Sequence, residues 1–344
     1  MDRFQQLPKV NLHHHLEGAV RPATFLEYVQ QLHLPLAIKD LAEAHAYLQV
    51  SPGDQTLADF LIKVDRTLAI TQYPGVLERL AFEAVEDAYL QNVRYLEIRF
   101  GPWLHVGQRR SVEMVIEEVL AGMQRAMAEY PIIARLIVCA LRQHDPQQNL
   151  TLATVAPRYL SDGLVGFDIA GDEAAYPAGV FVEAFMRAKT GGLGITVHAG
   201  EVGDGRSVME AITVLGADRI GHGIQISTQP DLVEAVKASG VTLEICPTSN
   251  VHTRAVARLE HHPIRQLFDQ GIRVSLGDDD PTTSGITLSS EYALLADIFH
   301  FTDTEITKVV LTGAQAAFLS KSEKNALISQ LQLELDRWLA QHSQ

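Results

Sequence analysis

Eight short β-rich runs, most of them followed by a helical pattern, restrict this 344-residue chain more than any other feature. The runs are Lys9–Leu16, Val93–Phe100, Ile132–Leu141, Leu164–Gly171, Gly194–Gly200, Arg219–Ile224, Val241–Pro247 and Arg273–Pro281. Helical patterns separate them at Val76–Gln91, Val112–Glu129, Pro146–Leu160, Gly179–Lys189, Ser207–Leu215, Asp231–Ala238 and Pro263–Asp269. Strands alternating with helices imply a parallel sheet, and eight such units predict an α/β fold of the closed (β/α)8 TIM-barrel type. Further helical patterns at Ser289–Phe299, Asp303–Leu319 and Ser322–Gln341 predict extra C-terminal helices. The connection from Leu16 to Val93 is too long for one crossover. Its helical patterns, Pro22–Leu32 and Thr56–Ile70, predict a cap over the barrel mouth at about residues 20–75, with Leu57, Phe60, Leu61, Val64 and Leu68 prominent in the second. An open doubly wound sheet is the competing architecture. No G-x-G-x-x-G follows the first run, and Gly191-Gly192-Leu193-Gly194 precedes a strand instead of following one. With no fixed-period repeat or linker, residues 1–344 are expected to form one barrel domain.

Barrel active sites collect at the carboxyl ends of the strands, so those ends are where chemistry is expected. The first run offers His13-His14-His15-Leu16-Glu17-Gly18. Side chains alternate along a strand, so His13 and His15 share one face and His14 takes the other. The fifth run ends in His198-Ala199-Gly200-Glu201, an imidazole followed by two small residues and a carboxylate. The sixth gives Gly221-His222-Gly223 and the eighth Asp278-Asp279-Asp280-Pro281. Singly, these are ordinary: a surface histidine cluster, a buried strand histidine, a turn histidine, a solvated acidic turn. Together they converge on one rim. Three neutral imidazoles and one carboxylate suit zinc, with a coordination position left for water. His33, His45, His105, His144, His261, His262, His300 and His342 lie off the strand ends or on helical faces and are expected to have no role, while His252 stays open.

Two absences narrow the chemistry. The fourth run, Val165-Gly166-Phe167-Asp168-Ile169-Ala170-Gly171, holds no lysine to bridge a metal pair, which favours a single ion. No Pro-Cys-x-x-Cys pair is present, which excludes the other zinc-deaminase scaffold. The formal charge of −14 argues against a nucleic-acid backbone or an anionic membrane as partner. Cys139 and Cys246 lie in apolar runs and are expected as buried, reduced thiols. Met1–Val10 lacks an apolar signal core, and no run reaches the roughly 18 apolar residues of a membrane helix, so a cytoplasmic protein is expected.

The motifs Leu7-Pro8-Lys9-Val10-Asn11-Leu12-His13-His14-His15-Leu16-Glu17-Gly18, Asp168-Ile169-Ala170-Gly171-Asp172-Glu173, His198-Ala199-Gly200-Glu201, Gly221-His222-Gly223, Cys246-Pro247-Thr248-Ser249-Asn250 and Ser275-Leu276-Gly277-Asp278-Asp279-Asp280-Pro281, in this order, resemble the adenosine deaminase family from Leu7 to about Leu319. The resemblance implies one zinc ion per chain, held by His13, His15, His198 and Asp279. It implies that Asp279 takes the proton of the attacking water, that His222 holds the developing hydroxide in line with C6, and that Glu201 shares a proton with purine N1. Asp280 would hydrogen-bond N7, the Gly171 N–H would meet N3, and His15 and Glu17 would face the substrate. The implied reaction is zinc-dependent hydrolytic deamination of the 6-amino group of an adenosine-type nucleoside, releasing ammonia.

The chain also departs from the family pattern. Glu17 stands where adenosine-specific members usually have Asp and adenine-specific relatives often have Glu. Gly277-Asp278 replaces the usual Asn-Thr, and Gly101 occupies a position where a small polar residue is common. Thr253-Arg254-Ala255-Val256 resembles members acting on 6-aminodeoxyfutalosine, whose benzoate Arg254 would pair. Free adenine and 6-aminodeoxyfutalosine are thus the alternative substrates. A metal-dependent hydrolase of another bond is the alternative of a different class, and it would need neither Glu201 nor Asp280.

Overall fold

The computed structural model describes residues 3–342 except 55, 108, 109 and 174, so residues 1, 2, 343 and 344 of the expected domain lie outside the described residues. Eight parallel strands pair in chain order: β1 Lys9–His15, β2 Val93–Phe100, β3 Ile133–Leu141, β4 Leu164–Ala170, β5 Gly194–Ala199, β6 Arg219–His222, β7 Thr242–Ile245 and β8 Arg273–Leu276. The stretch after β8 returns to β1, where Asp279 N–H donates to the His13 carbonyl at 3.0 Å and His15 N–H to the Asp279 carbonyl at 2.8 Å. The architecture is the expected (β/α)8 barrel.

Six of the eight strands are shorter at their carboxyl ends than their residues predict, most of all the eighth, which stops at Leu276 instead of reaching Pro281, while the second and third end where expected. His222, the last residue of its strand, and Asp279, which bridges to β1 beyond the end of the eighth, adopt φ of 63° and 56°, a left-handed conformation that costs a non-glycine residue about 1–2 kcal/mol. The backbone turns there, and side chains that alternation would send outward are redirected over the barrel mouth.

Outward-facing apolar residues such as Leu96, Val138, Ile169, Ile220 and Leu243 are fully buried within the continuous apolar core. Helices Val76–Leu90 and Val112–Glu129 pack so closely that a Cβ on Gly122 would fall 2.0 Å from the Glu78 carbonyl oxygen. At the C-terminus Asp303–Ala316 lies on β8 and β1, and Lys321–His342 buries Leu327, Leu331 and Leu335 at helical spacing.

Among the described residues, the segment at about 20–75 carries helices, as expected, but divided differently. The structure has Pro22–Gln31, an unanticipated Leu41–Leu48, and Leu57–Asp65 followed by Leu68–Thr71, so the second expected helix breaks at Arg66-Thr67. Leu57, Phe60, Leu61 and Val64 project into the same cavity as the barrel's strand-end residues, which makes this segment one wall of the mouth.

Candidate active site

His13, His15, His198 and Asp279 meet at one point, with a potential ligand atom from each lying within 4.8 Å of the others. Asp279 Oδ1 is 3.3 Å from His13 Nε2 and 3.4 Å from His15 Nε2, and the Nε2 atoms of His15 and His198 are 3.2 Å apart. The strand pattern explains the first pair, since β1 turns His13 and His15 inward. His14 faces the other way, its Nδ1 2.8 Å from Asp278 Oδ1. The acidic triplet therefore divides: Asp278 to His14, Asp279 to the cluster, Asp280 to the cavity. A Cβ at position 277 would lie 2.6 Å from His13 Cβ, which accounts for glycine there in place of a side chain.

The residues fit a divalent ion on their own chemistry. Glu244 Oε2 is hydrogen-bonded to His13 Nδ1 at 2.9 Å, and Asp168 Oδ2 lies 2.9 Å from His198 Nδ1 as an ion-pair contact, so a carboxylate faces each Nδ1 and the Nε2 side is turned to the cluster. Burial holds His15 well below its ordinary value and His198 down to about 4, keeping both neutral. His13 Nε2 is buried and, although 3.3 Å from Asp279 Oδ1, makes no hydrogen bond among the described residues, an orphan that an ion would satisfy.

Behind these rings lies a charged layer inside the barrel. Arg99 donates to Asp168 at 2.8 Å and to Glu244 at 2.6 Å, tying together the two carboxylates that orient His13 and His198. Arg219 donates to the other oxygen of Glu244 at 2.6 Å and pairs with Glu97. Burial alone would raise Glu244, yet Arg99 and Arg219 hold it well below the usual carboxylate range.

Glu201, Asp280, Glu17, Gly171 and His222 line one cavity of about 820 Å³, open mouth included, together with His15, His198 and Asp279. Glu201 accepts from Thr253 Oγ1 at 2.8 Å and lies 3.8 Å from His222 Nε2. Burial raises its carboxyl above the ordinary value, against the opposing pull of His222. Burial, then the charge of Asp279, pushes Asp280 well above the usual range. Asp280 Oδ1 has no hydrogen-bond partner among the described residues and sits where a Cβ on Gly18 would lie 1.9 Å from it, so the first motif must end in glycine. Glu17 Oε1 accepts from Gly101 N–H at 2.8 Å and lies 3.0 Å from His105 Nε2, while its Oε2 has no hydrogen-bond partner among the described residues.

All of the expected site residues thus come together, and several unexpected ones join them. His105 and His262, assigned no role for lying off the strand ends, are corrected here: His105 is buried against Glu17, and His262 reaches Asn250 behind His222. Helix position said nothing of where those rings point. Glu173 was visible only as a member of a motif. Its carboxylate accepts four successive N–H groups, of Gly200, Glu201 and Val202 at 2.8 Å and Gly203 at 3.2 Å, and so holds the loop that carries Glu201. Arg254 does not line the cavity; its exposed guanidinium donates to the Asp54 carbonyl at 2.9 Å.

One buried acid near the site gives a testable pH dependence. Glu291 accepts from the Thr248 N–H at 3.0 Å and from the Thr248 hydroxyl, and burial raises it from its ordinary 4.5 to about 7. The folded state then holds a proton that the unfolded state releases. Its contribution to stability, about 3 kcal/mol, is complete below the unfolded value and is lost as pH rises through the folded one. Glu291→Gln is expected to flatten the fall in melting temperature between about pH 5 and about pH 8; an unchanged slope would assign that fall to other groups.

The adenosine deaminase family model matches residues 8–334. An adenosine deaminase from Vibrio vulnificus is 37% identical over 326 residues, 95% of this chain and 98% of that protein. Among solved structures, adenine deaminase from Arthrobacter aurescens superposes with a TM-score of 0.88 at 25% identity, covering 97% of this chain and 99% of that one. An amidohydrolase from Burkholderia ambifaria with bound zinc superposes with a TM-score of 0.89 at 28% identity, covering 98% and 93%. With the barrel, the rim of imidazoles and carboxylates and these likenesses in agreement, the chain belongs to the adenosine deaminase family and is a hydrolytic deaminase acting on a purine C–N bond.

Proposed function

We propose that this enzyme deaminates the 6-amino group of an adenosine-type nucleoside with an uncharged distal end, using one zinc ion held by His13, His15, His198 and Asp279. The observation that carries the reading is one cavity lined by a metal-competent cluster and by two carboxyl groups whose environments favour the protonated form. When bound, such an ion supplies Lewis-acid activation of water, lowering its pKa toward about 7. Asp279 then accepts the water's proton, and His222, 3.8 Å from Asp279 Oδ2, orients the attacking oxygen. Burial, by raising the Glu201 carboxyl, favours the protonated form, which gives its proton to purine N1 and makes C6 electrophilic. Purine N7 carries a lone pair, so only a protonated Asp280 hydrogen-bonds it. Gly171 meets N3 and Glu17 meets the sugar, its unpartnered Oε2 ready for a hydroxyl donor. Hydrolysis of an ester or amide would need neither Glu201 nor Asp280, which favours the purine over another bond. Both cysteines are buried and free, which accords with the reducing cytoplasm.

The distal end of the substrate follows from charge. Among the described residues, the cavity lining includes Glu17, Asp65, Glu201, Asp279 and Asp280 but no lysine or arginine. Asp65 is itself raised, by burial and then by the charge of Glu17. Glu201 and Asp280 favour the protonated form and Asp279 faces the ion, so an anionic distal end would meet the charge of Glu17 with no cation in the lining to offset it. A like-charge pair at ~7 Å costs about 2 kcal/mol at an effective dielectric of about 20, so a phosphate or a benzoate is poorly received. Free adenine remains the second reading, favoured by Glu17 and the likeness to the Arthrobacter enzyme.

Ammonia release compared by kcat/KM on adenosine, deoxyadenosine, methylthioadenosine, adenine, AMP and 6-aminodeoxyfutalosine tests this. The neutral nucleosides are expected to exceed both anionic substrates by about 30-fold. Preference for either anion would overturn the charge argument, and preference for adenine would establish the second reading.

A further inference from the structure

His222 contacts the cavity with one ring nitrogen and the protein interior with the other, and the interior side has a direction. The row begins at a group with only one possible role: the backbone N–H of Ile264, which donates to His262 Nδ1 at 3.1 Å. His262 Nδ1 is therefore an acceptor and carries no proton. A neutral imidazole with a bare Nδ1 is protonated on Nε2. Burial lowers His262 to about 3, so the ring is neutral over the working range.

His262 Nε2 lies 3.1 Å from Asn250 Oδ1, a donor meeting a carbonyl oxygen. An amide's two ends look alike, and its orientation is ordinarily a choice made from the network around it. Here the Ile264 backbone makes that choice, because the opposite orientation would set an N–H against an N–H. Asn250 Nδ2 consequently faces His222 Nδ1 at 3.1 Å and donates to it. His222 Nδ1 is then the acceptor, and the ring proton sits on Nε2. No solvent competes along the row, since His222, Asn250 and His262 are 1%, 0% and 5% exposed. Nε2 emerges 3.8 Å from both Glu201 Oε2 and Asp279 Oδ2.

We propose that the Ile264 N–H, His262 and Asn250 form a directional relay that fixes His222 in one tautomer, Nε2–H toward the cavity, so that His222 holds the attacking oxygen as a hydrogen-bond donor and cannot accept its proton. His262 and Asn250 are positioning residues that act through His222, and the proposal rests on the role given to His222 above. It leaves Asp279 as the base and gives His222 a purely orienting part.

The test is histidine-selective 15N NMR on the metal-loaded protein, with His222 assigned by its loss in His222→Gln. In the wild type, His222 is expected to show a protonated Nε2 and a bare Nδ1. Asn250→Asp keeps the shape but places an acceptor against both rings, so the His222 proton is expected to move to Nδ1. With it kcat is expected to fall at least about 100-fold while KM and metal content hold; a wrong tautomer costs a serine-protease triad about 10⁴. Should that variant not fold, His262→Ala leaves Asn250 undirected, and the same spectrum is expected to show both tautomers. A wild-type His222 protonated on Nδ1, or an Asn250→Asp protein whose His222 proton has not moved, would overturn the relay whatever the activity. A proton that moves while kcat does not would overturn the orienting role of His222 and the catalytic half of the proposal. The role of Glu201 is tested separately by its own substitution.

Discussion

Glu201→Gln is expected to leave the metal content at the wild-type level and to lower kcat by about 10³-fold or more, within the 10²–10⁴ that a positioned general acid contributes. The amide has the shape of the acid and keeps an oxygen for the Thr253 hydroxyl, so packing and the Glu173-held loop are retained. It has no proton to give to N1. Because the active form of Glu201 is protonated, and burial raises its pKa, wild-type kcat is expected to decline as pH rises through that raised value. The steady-state rate and the metal stoichiometry, measured on the same preparation, decide the matter. Retention of more than about a tenth of wild-type turnover would take Glu201 out of the mechanism.

The second large effect is on stability and metal affinity together. Arg99 is wholly buried between Asp168 and Glu244, and Arg99→Met would leave two interior carboxylates without their shared cation. Breaking a buried ion pair by removing one partner costs about 3–5 kcal/mol. Glu244 would keep Arg219, so the loss is expected to fall mainly on Asp168, and through it on His198. Groups that orient metal-binding histidines typically account for about 10–100-fold in affinity. Denaturant unfolding of the variant should show the lost stability, and competition with a chelator the weakened binding. Unfolding within about 1 kcal/mol of wild type, with unaltered affinity, would mean that Asp168 and Glu244 hold the rings without Arg99's help.

Much of this centre is legible in the order of residues. Two-residue alternation in His13-His14-His15 was enough to separate the inward pair from the outward ring, because a strand allows nothing else. Four strand ends carrying imidazoles or carboxylates made a common rim the economical reading, since a barrel brings those ends together. The strand limits were less legible, because His222 and Asp279 at the barrel mouth take a left-handed backbone conformation that neither residue type announces. The dismissal of His105 and His262 failed for a related reason: a ring on a loop or helix end reaches a site by tertiary approach, which spacing along the chain does not encode.

The order of residues by itself determined the strand-helix alternation, the face on which each strand histidine points and the identity of the groups available for metal and proton chemistry, all of which depend on neighbours a few positions apart. Only the tertiary structure decided which carboxylate orients which ring, how Asp278, Asp279 and Asp280 divide their tasks, that Arg254 lies outside the cavity, and that Glu173 and Asn250 serve residues dozens of positions away. Those outcomes rest on distances across the barrel, and hydrogen bonds and ion pairs form by proximity in space, whatever the separation along the chain.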